Sequence, residues 1–289
     1  MAARHPLNRS ASSRHDLEVL SLPSRTRPAA LAGRFYPGRP GELARTLDAM
    51  LDAASRARAA PARRPKALIV PHAGYVYSGP IAASGYAQLR GHGVDKVVLL
   101  GPAHRVYVEG LALPGADRFA TPLGEVPVDA ALAAALRPLP FVETSAEAHA
   151  LEHSLEVHLP FLQAVLDGPF SLLPLVVGGA TPEQVSAVLE RVWGGPETLV
   201  VISSDLSHFH DYASAQAIDA DTVAAILAGR VGLDPRQACG ARCIDGLLEL
   251  GRRRPLELEL LDLRNSGDTA GDHARVVGYA SLAVSETQP

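Results

Sequence analysis

At 289 residues, 47% of them hydrophobic, the chain has enough apolar material for one large core or two modest ones. A formal net charge of −4 gives no electrostatic reason to expect nucleic acid or an anionic membrane as partner, and no apolar run approaches the roughly 20 residues that a membrane span needs. Cys239 and Cys243 are too few for a disulfide scaffold and fit a reducing compartment, so a cytoplasmic location is expected.

Residues 1–30 mix Arg, Ser, Pro, Ala and His around a short apolar island at 17–22. They read as a disordered arm rather than a targeting peptide, because no apolar h-region or small-residue cleavage site is present. From Leu31 to residue 285 the text is that of one domain. A turn-rich aromatic stretch at 32–38 precedes a helix over 40–54, where Leu43, Leu47, Met50 and Leu51 recur at helical spacing. Residues 56–65 form a basic connector, read as a solvated face. Then Ala67-Leu68-Ile69-Val70, too short for a helix and closed by Pro71, reads as a buried strand that delivers His72 into a glycine-punctuated loop.

That grammar returns twice. A crossover helix over 81–89 leads to a strand at 96–100 running into Gly101-Pro102-Ala103-His104, and a strand at 199–202 runs into Ser203-Ser204-Asp205-Leu206-Ser207-His208. Apolar strands separated by helix-length segments imply a largely parallel central sheet flanked by helices, an α/β fold. Ligands of such sheets gather beyond the carboxyl ends of the strands. His72, His104 and His208 are therefore expected to converge.

Between these strands the prolines and glycines of 111–127 predict extended edge elements, followed by a short helix over 129–136, a helix over 152–166 interrupted by Pro160, and a buried strand over 170–177. Thr181-Pro182-Glu183-Gln184 opens the next helix, with a hydroxyl cap and proline in the first turn. Helices over 213–228 and 235–250 and closing strands over 256–263 and 275–284 complete the domain.

Several residues could carry chemistry. His149 and His153 would share a face at i, i+4 on a helix, although the segment does not match the His-Glu-x-x-His pattern of metalloproteases. His153 reads as a pocket wall, and His158 is open between core and site. Asp205 either orients His208 as a general base or caps the next helix. Cys243 falls on the apolar stripe of a helix. Cys239 is either a small buried hydrophobe or, near a helix start where N–H groups favour the anion, a metal-binding thiolate.

Val70-Pro71-His72-Ala73-Gly74-Tyr75-Val76-Tyr77-Ser78-Gly79, Gly101-Pro102-Ala103-His104, Thr121-Pro122-Leu123-Gly124, Glu152-His153-Ser154-Leu155-Glu156-Val157-His158-Leu159-Pro160 and Ser203-Ser204-Asp205-Leu206-Ser207-His208 resemble, in order, the signature segments of the Memo family. Asn265-Ser266-Gly267-Asp268-Thr269 and Val276-Val277-Gly278-Tyr279-Ala280 add similarity to its prokaryotic branch, AmmeMemoRadiSam system protein B. The resemblance implies a fold similar to the class III extradiol dioxygenases, with a non-haem metal, iron(II) first and copper or zinc as alternatives. By motif it implies His72, His104 and Cys239 as ligands, with Cys243 the alternative thiol, and His208, Asp205 and His153 as catalytic groups. Tyr75, Tyr77 and Arg105 would be rim contacts to a small molecule or peptide. It further implies an AMMECR1-like protein and a radical S-adenosylmethionine protein as partners. The activity implied is a metal-dependent oxidoreductase; a ligand-binding scaffold without turnover and a hydrolase using Cys239 as nucleophile and His208 as base are the alternatives.

Overall fold

The computed structural model of the protein describes residues 25–57 and 64–287. The expected arm lies outside the described residues as far as residue 24. From Arg25 the chain is already part of the domain, which corrects the boundary placed at Leu31. The two-residue strand β1 (Thr26–Arg27) pairs in parallel with a later strand at Arg118–Thr121, and the Arg27 side chain is buried.

The chain continues with α1 (Pro40–Ala57), β2 (Ala67–Val70) and α2 (Tyr75–Tyr86), which runs on into a 3-10 turn at Ala87–Leu89. Helix α2 starts six residues before the position expected from Ile81, with Pro80 inside it. A proline there strips the Val76 carbonyl of its helical partner, and Val76 is exposed, so water can take the bond. There follow β3 (Lys96–Pro102), β4 (Leu111–Leu113), β5 (Arg118–Thr121) and β6 (Gly124–Pro127), the extended elements expected from the proline and glycine content. Helix α3 (Ala130–Leu136) is capped by Asp129, and β7 (Val142–Thr144) leads into α4 (Ala146–Ala150).

The helix expected over 152–166 is two helices, α5 (His153–Glu156) and α6 (Leu159–Val165). Pro160 fits only the first turn of a helix, so the chain restarts just before it. Then come β8 (Ser171–Val177), α7 (Pro182–Val192), whose Thr181 and Gln184 form a reciprocal capping box, β9 (Thr198–Ser203), β10 (His208–His210) and α8 (Tyr212–Leu227). Helix α9 (Ala241–Gly251) begins later than expected because Asp234 ties up a separate turn, accepting from the Arg236 backbone N–H. Two long antiparallel strands, β11 (Leu256–Asn265) and β12 (Val276–Glu286), close the chain.

The main sheet has the order β10-β12-β2-β9-β3-β8-β4-β7, with β11 also paired to β12. Its centre, β2-β9-β3-β8, is parallel, as the three histidine-bearing strand ends imply, and antiparallel pairs flank it on both sides. Period-2 alternation divides the strand residues between two cores. Leu68, Val70, Val97, Leu99, Leu199 and Val201 pack toward α1, α2 and α6. Ala67, Ile69, Val98, Leu100, Val200 and Ile202 pack toward α7, α8 and α9.

Register decides what meets at the top of the sheet. Val70 pairs with Ser203, Leu100 with Ile202 and Pro102 with Val177, so the carboxyl ends of the four parallel strands finish nearly level. The loops leaving them are drawn close: a Cβ at Gly178 would lie 1.8 Å from the Val108 carbonyl oxygen, and one at Gly101 would lie 2.7 Å from Ser154 Oγ. Only glycine lets the loop after β3 and helix α5 settle onto the strand ends.

Candidate metal centre

The level strand ends carry His72 from β2 and His104 from β3, on either side of β9. His153, first residue of α5, is laid against them through the Gly101 contact. Ring centroids are 5.2 Å apart for His72 and His104, 5.4 Å for His72 and His153, and 4.5 Å for the stacked pair His104 and His153. One nitrogen of each of these three rings lies within 4.8 Å of the others, a separation that one metal ion can bridge. His72 is buried, while His104 and His153 are open to solvent on one side.

Glu152 orients the second ring. Its Oε1 accepts from His104 Nδ1 at 2.9 Å and from the Ser154 N–H at 3.0 Å, and its Oε2 accepts from the His104 N–H at 2.7 Å. Burial works to raise the pKa of this carboxyl, but the bonds from His104 outweigh it and hold the pKa at about 2. An ionised acceptor requires His104 to carry its proton on Nδ1, which leaves Nε2 as the free lone pair. His153 Nδ1 lies 3.3 Å from Glu152 Oε1 without hydrogen-bonding geometry and is a buried ring nitrogen with no partner. Converging lone pairs and an orphaned imidazole nitrogen fit a bound metal ion.

Cys239 lies at the edge of this cluster. Its Sγ is 3.3 Å from His72 Nε2 and accepts from the Asp205 N–H at 3.3 Å. Among the described residues the group whose ligand atoms lie mutually within 4.8 Å contains His153 and not Cys239. Burial, and then the charge of Asp205, push the thiol well above its ordinary pKa. In the metal-free chain the first turn of α9 does not offset a desolvated site beside a carboxyl, so a Cys239 thiolate would need a bound ion to displace its proton. Cys243 is buried in the core on α9, as its place on the apolar stripe implies.

Asp205 is aimed differently from the expectation. Its Oδ1 accepts the His72 N–H at 2.7 Å, its Oδ2 lies 4.0 Å from His72 Nε2, and no hydrogen bond among the described residues joins it to His208. Nor does it cap a helix, since Asp211 takes that role for α8. Burial raises its pKa to about 7. His208, on β10, stands outside the three-ring cluster but within electrostatic reach of His72 and His104, and burial lowers its pKa.

Tyr75 is no rim residue: it is buried, with its hydroxyl donating to the Val157 carbonyl at 2.6 Å, because the early start of α2 turns it into the core. Tyr77 and Arg105 are exposed. Tyr107 is a better rim aromatic. It borders a cavity of about 260 Å³ that opens beside Cys239 and is lined further by Ala103, Gly178, Pro235 and Arg242.

His149 belongs to α4 and hydrogen-bonds the Ala112 carbonyl, so no i, i+4 pair with His153 exists. His158 is buried behind the site, its Nε2 2.8 Å from Ser203 Oγ and its Nδ1 2.9 Å from Tyr86 Oη. Sequence reasoning missed Glu152, Ser154 and Ser203. The signal for the first was present, an acid directly before a histidine at a helix start.

Burial lowers His149 to about 4 and His158 to about 3. The unfolded chain binds protons to these rings below about pH 6.5 while the folded chain does not, so stability falls as pH falls from 6.5. Urea unfolding at pH 7.5 and pH 5 is expected to differ by about 2 kcal/mol for each ring, and His158→Gln should remove its share of that slope.

The chain matches the Memo-like protein family over residues 27–283, nearly the whole described domain. The chain belongs to the Memo family. Among its relatives, a MEMO1 family protein of Aquifex aeolicus is 33% identical over 274 residues, covering 89% of this chain and 98% of that protein. One from Ignicoccus hospitalis is 35% identical over 283 residues, covering 89% and 97%. An uncharacterized Escherichia coli protein of solved structure, JW3007, overlaps at a TM-score of 0.49 with 14% identity over 76% of this chain and 99% of that one, too slight a likeness to carry an argument. Among the described residues no helix of this Memo family chain is long and apolar enough to cross a membrane.

Proposed function

We propose that this Memo family chain binds one metal ion at His72, His104 and His153, with Cys239 beside the site, and uses it as an oxidoreductase acting on a small molecule in the adjoining cavity. The observation that carries the reading is the approach of three imidazole nitrogens to within 4.8 Å. Three imidazoles and a neighbouring thiol are a donor set suited to iron(II), copper or zinc and poor for magnesium or calcium; iron(II) is the first choice by family resemblance. When bound, such an ion supplies Lewis-acid or redox chemistry.

The chain's own residues supply the rest. Glu152 holds His104 in one orientation. Asp205, with a pKa of about 7, can keep or release a proton 4.0 Å from His72 Nε2. His208, neutral at pH 7, can take one up at the margin. Ala103, Pro235 and Gly178 line the cavity in which a ligand would sit beside Cys239.

Anaerobically purified protein should carry about one iron(II) per chain and lose its reduced signal on exposure to O2, whereas His72→Ala and His104→Ala should each bind at least about tenfold more weakly. No uptake of iron, copper or zinc by the wild type would end this reading.

The exposure of Tyr107 (83%) on the cavity rim favours a second reading, capture of a ligand or peptide without turnover. The AMMECR1-like and radical S-adenosylmethionine partners fit either reading. A His72→Ala variant that loses the ion but keeps full affinity for the AMMECR1-like protein would favour the second.

A further inference from the structure

We propose that Ser203 is a tautomer lock for His72, and that the three consecutive residues Glu152, His153 and Ser154 thereby set all three rings of the cluster. Ser203 ends β9 and is fully buried. Its Oγ meets three groups: His72 Nδ1 at 2.6 Å, His158 Nε2 at 2.8 Å and the Ser154 carbonyl oxygen at 2.6 Å. A hydroxyl has one proton to give and two lone pairs. The carbonyl can only accept, so the hydroxyl proton goes to Ser154. Both imidazoles must then bring their own protons to Ser203.

Two assignments follow. Neutral His72 carries its proton on Nδ1 and keeps its lone pair on Nε2, the nitrogen 3.3 Å from Cys239 Sγ. His158 carries its proton on Nε2, and its Nδ1 accepts from the Tyr86 hydroxyl at 2.9 Å. In this chain Tyr86, His158 and His72 all donate toward Ser203 or along the path to it, and Ser203 donates out to a carbonyl. Every proton is committed, so the arrangement positions His72 and does not ferry protons to it.

The carbonyl that decides this is itself immobilised. The Ser154 N–H is held by Glu152 Oε1, and Ser154 Oγ donates to the Pro102 carbonyl at 2.9 Å. Glu152 also fixes His104 directly, and His153 is the third ring. One short segment thus aims the free lone pairs of rings delivered by two separate strands. Ser203 and Ser154 are positioning residues. Their purpose rests on the metal-binding reading above, but the lock is a property of the metal-free protein and can be tested there.

Imidazole nitrogen NMR shifts of the metal-free wild type should show His72 protonated on Nδ1. Ser203→Ala should populate both tautomers and weaken zinc(II) binding by about 10–100-fold. His158→Gln, which keeps an N–H facing Ser203, should leave the His72 tautomer as in the wild type. Protonation of wild-type His72 on Nε2 would overturn the lock, even if Ser203→Ala failed to fold. So would a shift in His158→Gln as large as in Ser203→Ala, which would make the chain a relay. A wild type with the Nδ1 tautomer that takes up no zinc would uphold the lock and sink only the metal reading.

Discussion

Glu156→Ala is expected to lower unfolding free energy by about 3–5 kcal/mol, the cost of stranding a buried guanidinium. Glu156 is wholly inaccessible. It takes the Arg27 guanidinium, the Ala30 N–H at 3.0 Å, the Leu31 N–H at 2.8 Å and the Tyr36 hydroxyl at 2.5 Å. Arg27 in turn donates to the carbonyls of His149 and Glu152. Removing the carboxylate leaves a charge and three donors without partners, and each orphaned donor costs about 1–3 kcal/mol by itself. The damage would reach the site, because Glu156 ends the same helix that His153 begins. Urea titration is the measurement. The pair of substitutions Arg27→Met and Glu156→Leu should cost much less than Glu156→Ala alone, since an apolar pair leaves no buried charge; a loss under about 1 kcal/mol for Glu156→Ala would show that water reaches Arg27.

Glu152→Ala should weaken metal binding by about 10–100-fold, as loss of a carboxylate behind a ligating histidine does, and should also change the response to acid. The Glu152 carboxyl stands at about 2 instead of the usual 4.5. A depressed carboxylate contributes stability that is complete above about pH 4.5 and is lost as pH falls toward 2. The shift is worth on the order of 3 kcal/mol. In metal-free protein the stability curve of Glu152→Ala should therefore lie below the wild type at pH 5 and converge on it near pH 2. Parallel curves across that range would show that His104 does not depend on Glu152 for its placement.

Spacing along the chain is a poor guide to two contacts at the site. Asp205 stands three residues before His208, and His149 four before His153, yet neither spacing brings the side chains together. Instead β9 ends at Ser203 and the chain turns Asp205 under His72, while Leu151 breaks α4 from α5. Tyr75 was misplaced in the same way, by a helix that begins before its proline rather than after it.

What the sequence determined by itself is what periodicity and turn chemistry can encode: four-residue apolar runs that must be buried strands, the loops that follow them, the capping box at Thr181 and the position of His72 and His104 at strand ends. Only the tertiary structure decided that His153 completes the cluster while His208 stands aside, that Glu152 orients a ligand ring while Asp205 meets the His72 backbone instead of His208, and that Ser203 meets His72. Those are contacts between residues 48 to 133 positions apart. They depend on strand register and on two glycines that let loop and helix close onto the sheet, and neither is written in any one stretch of the chain.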